Sequence, residues 1–199
     1  MRRGILLFVK HPEPGKVKTR LAATLGPVRA AEIYRTLAEE VLRRVPADTE
    51  VLVLFDPPGK AAEIAAWLRR PASALVPQVS GDLGVRLEAA FAEGFARGCD
   101  AVAAIGSDCV ELTPAHFAEA WCALETHDAA LGPTVDGGYY LLALRTPHPE
   151  LFRDIAWSTD AVCRQTLERA EAAGLRVHLL PILSDVDTEE DLRKLRVEG

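Results

Sequence analysis

The stretch Lys10-His11-Pro12-Glu13-Pro14-Gly15-Lys16-Val17-Lys18-Thr19-Arg20-Leu21 decides how this 199-residue chain is read. Before it runs Ile5-Leu6-Leu7-Phe8-Val9, an unbroken apolar run that marks a buried strand. After it the apolar spacing becomes helical. The segment between is a strand-to-helix loop, and its residues ask for more than a connection. Pro12 and Pro14 stiffen the backbone. Gly15 permits a turn or a close approach to a ligand. Lys10, Lys16, Lys18 and Arg20 concentrate positive charge in a chain whose net charge is −6. Amides and cations so placed suit the oxygens of a polyphosphate. Two formal phosphate signatures are missing. A Walker A loop needs Gly where Lys10 stands and Ser or Thr where Val17 stands, and no Gly-x-Gly-x-x-Gly occurs. A Gly-Lys pair alone reads as a solvated basic turn, so the argument must rest on other segments.

An acidic chain lacks the basic face that nucleic acid or an anionic membrane requires. A basic loop within it points to a small anionic ligand. The apolar run after Met1-Arg2-Arg3-Gly4 is too short to span a membrane and no signal-peptide cleavage pattern follows, so a cytoplasmic protein is expected. Cys99, Cys109, Cys122 and Cys163 match no zinc or redox spacing, which predicts four reduced thiols, with Cys99, Cys122 and Cys163 buried.

Working outward, Pro27–Val45 reads as a helix with Val28, Ala31, Tyr34, Leu37, Ala38, Val41 and Leu42 on one stripe. Val51–Phe55 is a second strand. Lys60–Arg70 is a helix stopped by Pro71, and Ala74–Val79 a third strand interrupted by Pro77. Gly81-Asp82-Leu83-Gly84 opens a helix closed near Gly98. Ala101–Ile105 is apolar throughout, as a central parallel strand should be. Thr113-Pro114 starts another helix. Apolar runs at 129–131 and 139–144 flank Asp136-Gly137-Gly138, a hairpin signal. A helix over 160–173, a strand over 177–182 and a terminal helix after Thr188 complete the chain. Strands alternating with helices, with one hairpin-like departure, predict one domain over residues 1–199: a three-layer α/β/α fold, its sheet mostly parallel with an antiparallel component.

Ligands of open α/β sheets bind at the carboxyl ends of the strands. The basic loop follows the first strand, Asp108 the strand at 101–105, and Asp185 and Asp187 the strand at 177–182. If those strands are parallel, the three loops share a rim. Three carboxylates beside a phosphate loop need a cation between them, and hard oxygen ligands favour Mg²⁺ or Mn²⁺. Each residue also has a plainer reading. Asp108 caps the next turn. Asp185 and Asp187 place negative charge at a helix N-terminus. Asp136 is a turn residue, and Trp157-Ser158-Thr159 a packed aromatic followed by an N-cap.

Five motifs occur in order: Lys-x-Pro-x-Pro-Gly-x-Val-Lys-Thr-Arg-Leu, Gly-Asp-Leu-Gly-x-Arg-Leu, Gly-Ser-Asp-Cys, Asp-Gly-Gly-Tyr-Tyr-Leu-Leu and Asp-Val-Asp-Thr-x-x-Asp-Leu. In them the chain, from Phe8 to Leu192, resembles the DUF2064 family of small bacterial glycosyltransferase-like proteins. It is more distantly similar to 2-phospholactate guanylyltransferases and molybdenum-cofactor nucleotidylyltransferases. One departure is Val110, where proline often follows the Gly-Ser-Asp-x segment.

The resemblance implies a GT-A-like nucleotide-diphospho-sugar transferase fold. It implies a nucleoside triphosphate or nucleotide-sugar as ligand, with a small-molecule acceptor. Nucleotide would be held by Lys10, Pro14, Gly15, Lys16, Lys18, Arg20, Gln78, Gly81, Asp82 and Gly84. Lys18, Arg20 and Asp108 would carry catalysis, and Asp108, Asp185 and Asp187 would bind Mg²⁺ or Mn²⁺. Asp136, Gly137, Gly138, Trp157, Ser158 and Thr159 would face the acceptor or sugar. The rival readings are a nucleotide-binding scaffold without turnover and a hydrolase using Asp108 or Cys109.

Overall fold

The computed structural model of the protein describes residues 1–197; the last two residues of the expected domain lie outside it. A seven-stranded sheet runs through the molecule in the order β3-β2-β1-β4-β6-β5-β7. The strands are β1 (Arg3–Lys10), β2 (Glu50–Asp56), β3 (Leu75–Pro77), β4 (Ala101–Ile105), β5 (Ala129–Pro133), β6 (Tyr139–Leu144) and β7 (Val177–Leu179). β1 pairs in parallel with β2 and β4, β2 with β3, and β5 with β7. Only β6 runs the other way, antiparallel to both β4 and β5. The carboxyl ends of β1, β2, β3, β4, β5 and β7 therefore lie on one rim.

The apolar runs are unbroken because both faces of the sheet are covered. Side chains alternate in direction along a strand. Ile5, Leu7 and Val9 join a core with Tyr34, Ala38 and Val41 of α2 (Pro27–Arg44), Ile64 and Trp67 of α3 (Ala61–Leu68), and Phe117 and Trp121 of α5 (Pro114–Ala123). Leu6 turns to the opposite core, with Leu87 and Phe91 of α4 (Leu83–Ala96) and Ala170 of α6 (Val162–Ala172). This is the three-layer α/β/α arrangement.

Some boundaries move. A seven-residue helix, α1 (Thr19–Leu25), separates the basic loop from α2. The helix expected at 60–70 ends at Leu68, where Arg69 takes a left-handed conformation. β3 stops at Pro77, which lacks the N–H to continue a ladder. β7 covers three residues instead of six, with Pro181 beyond its end. The Asp136-Gly137-Gly138 turn does join two antiparallel strands, β5 and β6. At the start of the terminal helix α7 (Glu189–Val197) Thr188 and Asp191 cap one another: Asp191 Oδ2 accepts from the Thr188 N–H at 2.8 Å, and the Asp191 N–H donates to Thr188 Oγ1 at 3.3 Å.

Candidate active site

A cleft of about 890 Å³ opens at the rim of strand carboxyl ends. It is lined by Lys10, Lys16, Lys18 and Arg20 of the basic loop, by Ser107, Asp108, Ser158 and Asp187, and by Asp56, Gln78, Gly81 and Arg86.

Lys18 is the hinge of this arrangement. It caps α1 in a left-handed conformation, φ 45° and ψ 53°. That geometry costs a non-glycine residue on the order of 1 kcal/mol and persists only where its surroundings fix it. Its side chain is 5% exposed. Its ammonium donates to Asp108 Oδ2 and to Asp187 Oδ1, both at 2.6 Å. Burial alone would lower the Lys18 pKa, but the two carboxylates outweigh it and hold the group above its ordinary value. Arg20 Nη1 lies 3.4 Å from the other oxygen of Asp187. The cationic loop and the carboxylates read from distant segments thus meet directly.

The acidic segment is anchored from several sides. The Val186 N–H donates to the Asp108 carbonyl at 3.2 Å, and Val186 itself is buried. The Ser184 N–H donates to Glu111 Oε2 at 2.9 Å, and the Asp187 N–H to Asp191 Oδ2 at 3.1 Å. Asp185 does not line the cleft, but its carboxyl feels it. Burial, and then the charge of Asp108, push its pKa up to about 8.

At the other end Gln78 is fully engaged. Its Nε2 donates to the carbonyls of Leu54 (2.8 Å) and Val9 (3.2 Å), and its Oε1 accepts from Arg86 Nη1 at 2.9 Å. Arg86 also donates from Nε to the Gly81 carbonyl at 3.1 Å and lies 3.4 Å from Asp56 Oδ2. Gln78 ties three strand ends together, and Arg86 and Asp56 are the groups beside it that the sequence reading passed over.

Other residues singled out from sequence are placed elsewhere. Asp82 accepts the Val85 N–H at 2.9 Å as the cap of α4, and Gly84 is packed against Phe152 and Trp157. Asp136 Oδ1 accepts from Thr134 Oγ1 at 2.6 Å and from the Gly138 N–H at 3.2 Å, closing its own turn. Gly137, at φ 87°, lies where a Cβ would strike the Asp160 backbone. Thr159 Oγ1 donates to the Ala156 carbonyl at 2.7 Å. Asp82, Gly84, Asp136, Gly137, Gly138, Trp157 and Thr159 do not line the cleft, nor do Pro14 and Gly15 at the tip of the basic loop. Of the acceptor set only Ser158 reaches it, in a left-handed conformation with φ 65°.

Cys109 is 2% exposed, and burial followed by the charges of Asp185 and Glu111 pushes its thiol far above the ordinary range. That removes the thiolate a nucleophile needs. Of the other thiols Cys99 is buried, Cys163 half-buried and Cys122 exposed, so of the three expected to be buried only Cys99 is, and Cys109, left out of that set, is buried too. Cys122 follows Trp121, which is turned into the core. His116 accepts the Thr113 N–H at 3.0 Å.

Among the described residues no group of three His, Cys, Asp or Glu side chains stands close enough to hold a metal ion. Two carboxylates, Asp108 and Asp187, do converge on one point, the Lys18 ammonium. Paired hard oxygens fit Mg²⁺ or Mn²⁺ in the manner usual for phosphate chemistry, where phosphates and water complete the shell.

Fold and cleft together define a protein of the nucleotide-diphospho-sugar transferase fold. A crystal structure from Desulfovibrio desulfuricans G20, called a "putative nucleotide-diphospho-sugar transferase", superposes with a TM-score of 0.92 at 36% identity, over 98% of this chain and 87% of that one. The chain belongs to the family described as "Uncharacterized protein conserved in bacteria (DUF2064)", whose model matches residues 37–159. Two more distant structures share the fold. The inositol-1-phosphate CTP transferase of T. maritima has a TM-score of 0.62 at 12% identity, over 100% of this chain and 94% of that one. The glucosyl-3-phosphoglycerate synthase of Mycobacterium tuberculosis, in complex with Mn²⁺, UDP and glucosyl-3-phosphoglycerate, has 0.54 at 14%, over 92% and 70%. No curated protein matches the sequence.

Proposed function

We propose that the chain is a metal-dependent transferase, which takes a nucleoside triphosphate or nucleotide-sugar and passes a nucleotidyl or glycosyl group to a small acceptor. One observation carries this reading. Lys18 and Arg20 of the first loop meet Asp108 and Asp187 directly, in a cleft at the strand carboxyl ends. Two of the three relatives named above are transferases by name and the third, a synthase, holds Mn²⁺ and UDP; about 890 Å³ lies within the range that holds a nucleotide-sized ligand. One domain would carry the whole site, in a cytoplasmic protein; no described helix is long and apolar enough to cross a membrane.

The chemistry is positioning and charge neutralisation. Lys16, Lys18 and Arg20 bind the phosphates and spread their charge. Asp108 and Asp187 would hold Mg²⁺ or Mn²⁺, which supplies Lewis-acid stabilisation of phosphate oxygens. The Gln78–Arg86–Asp56 network fixes the far wall of the cleft and so the depth at which a base or sugar sits.

A thermal-shift screen of nucleoside triphosphates and sugar nucleotides with Mg²⁺ tests the reading. Stabilisation by one class, followed by release of pyrophosphate or of nucleoside diphosphate, supports nucleotidyl or glycosyl transfer respectively. Stabilisation without release of either product supports the binding-only alternative. No stabilisation by any member overturns the proposal.

A further inference from the structure

The Lys18 ammonium occupies a place that water barely reaches, with its side chain 5% exposed. A charge there requires anionic partners, because taking one partner from a buried pair leaves the other uncompensated. It has two, Asp108 Oδ2 and Asp187 Oδ1, each at 2.6 Å. These are also the oxygens that would receive a divalent ion. The ammonium and the ion draw on the same two carboxylates, and two cations brought that close repel. They therefore exclude one another. Arg20 cannot replace Lys18: its side chain is 73% exposed and it reaches Asp187 at 3.4 Å.

We propose that Lys18 is the resident counter-ion of the Asp108–Asp187 pair, and that a divalent ion enters only together with a polyphosphate that draws the ammonium away. The inference rests on the nucleotide reading above and adds an order to it. An ion arriving alone must expel a lysine from both of its hydrogen-bonded anionic partners. An ion arriving with a polyphosphate offers Lys18 new oxygens, on the same side as Lys16 and Arg20. The lysine stem has four rotatable carbons, so the exchange needs no movement of α1. Metal and polyphosphate thus become positively coupled through a single side chain.

Calorimetric titration of Mn²⁺ alone into the full chain tests this. The wild-type protein should bind Mn²⁺ weakly. Lys18→Met should bind one ion more tightly by roughly 5- to 150-fold, the usual span of coupling between two ligands. That gain should vanish in the K18M/D187N double variant, which places the ion on the carboxylate pair. Equal Mn²⁺ affinity in wild type and K18M overturns the inference, as does a gain that survives D187N. Should K18M fail to fold, ¹⁵N-detected spectra of the wild-type lysine ammonium groups provide a second reading. The Lys18 signal, protected by two short hydrogen bonds, should stay in place with Mg²⁺ alone and shift with Mg²⁺ plus a nucleoside triphosphate. Displacement by Mg²⁺ alone overturns the inference. Tighter Mn²⁺ binding by K18M, with no nucleoside triphosphate or sugar nucleotide bound by the wild type, upholds the counter-ion and overturns the nucleotide reading.

Discussion

The hydroxyl of Tyr34 stands 3.1 Å from the hydroxyl of Ser107 and accepts the Lys10 N–H at 2.8 Å. One buried phenol on α2 thereby joins the ends of β1 and β4, the strands that launch the basic loop and Asp108. Tyr34 is 5% exposed and Ser107 6%, so water cannot replace what the hydroxyl supplies. Tyr34→Phe should destabilise the protein by about 1–3 kcal/mol, the scale of a buried donor left without its acceptor. Urea unfolding measures it, and a loss within error of zero would show that the two strand ends are held by other contacts.

Lys18→Ala should weaken binding of the nucleotide found by the thermal-shift screen by roughly 1–3 kcal/mol, the value of a lost charge-assisted hydrogen bond. Asp108→Asn should keep the fold and abolish the metal-dependent part of that binding. Calorimetry with and without Mg²⁺ separates the two effects. An unchanged Kd in both variants would remove the cleft from the argument.

Asp185 gives a pH dependence. Its carboxyl is held up to about 8, against an ordinary 3.8, by burial and by Asp108. The folded protein therefore keeps a proton that the unfolded chain releases. Stability from this group is fully present below about pH 4 and is lost as pH rises toward 8, with a limiting slope of about 1.4 kcal/mol per pH unit. Asp185→Asn should flatten the metal-free stability profile over that window. Denaturation midpoints taken at several pH values check it; an unchanged slope would mean that Asp185 is already ionised.

Gly137 tests whether the Asp-Gly-Gly turn serves packing. Its φ of 87° and the nearby Asp160 backbone leave no room for a side chain. Gly137→Ala should lower stability by about 1–3 kcal/mol, the usual cost of forced backbone strain. A melting temperature equal to that of the wild type would contradict the close approach.

The sheet was readable in the chain because strands covered on both faces leave unbroken apolar runs, as at 5–9, 51–55 and 101–105. The basic-loop residues and Asp108 could be named because each directly follows such a run. The sequence put the loop and the carboxylates on one rim but did not show that Lys18 itself bonds both Asp108 and Asp187. Lys18 and Asp187 are 169 residues apart, and no local pattern encodes their contact. Tyr34 was counted only as one member of an apolar stripe; a phenol among alanines and leucines was the available signal that a polar partner lay inside. α1 was missed because seven residues are too few to show a periodicity. The engagement of Gln78 with two carbonyls and Arg86 depends on how three strand ends are stacked, which spacing alone does not reveal.

The last sheet strand ends at Leu179, eight positions before Asp187. During synthesis the residues of every strand are therefore joined to the chain before one of the two carboxylates that grip Lys18 exists. A nascent or proteolytically clipped chain lacking that tail would retain the whole sheet and the cationic loop with half of its acidic counterpart. The scaffold's strands are thus encoded ahead of the segment that completes the cleft.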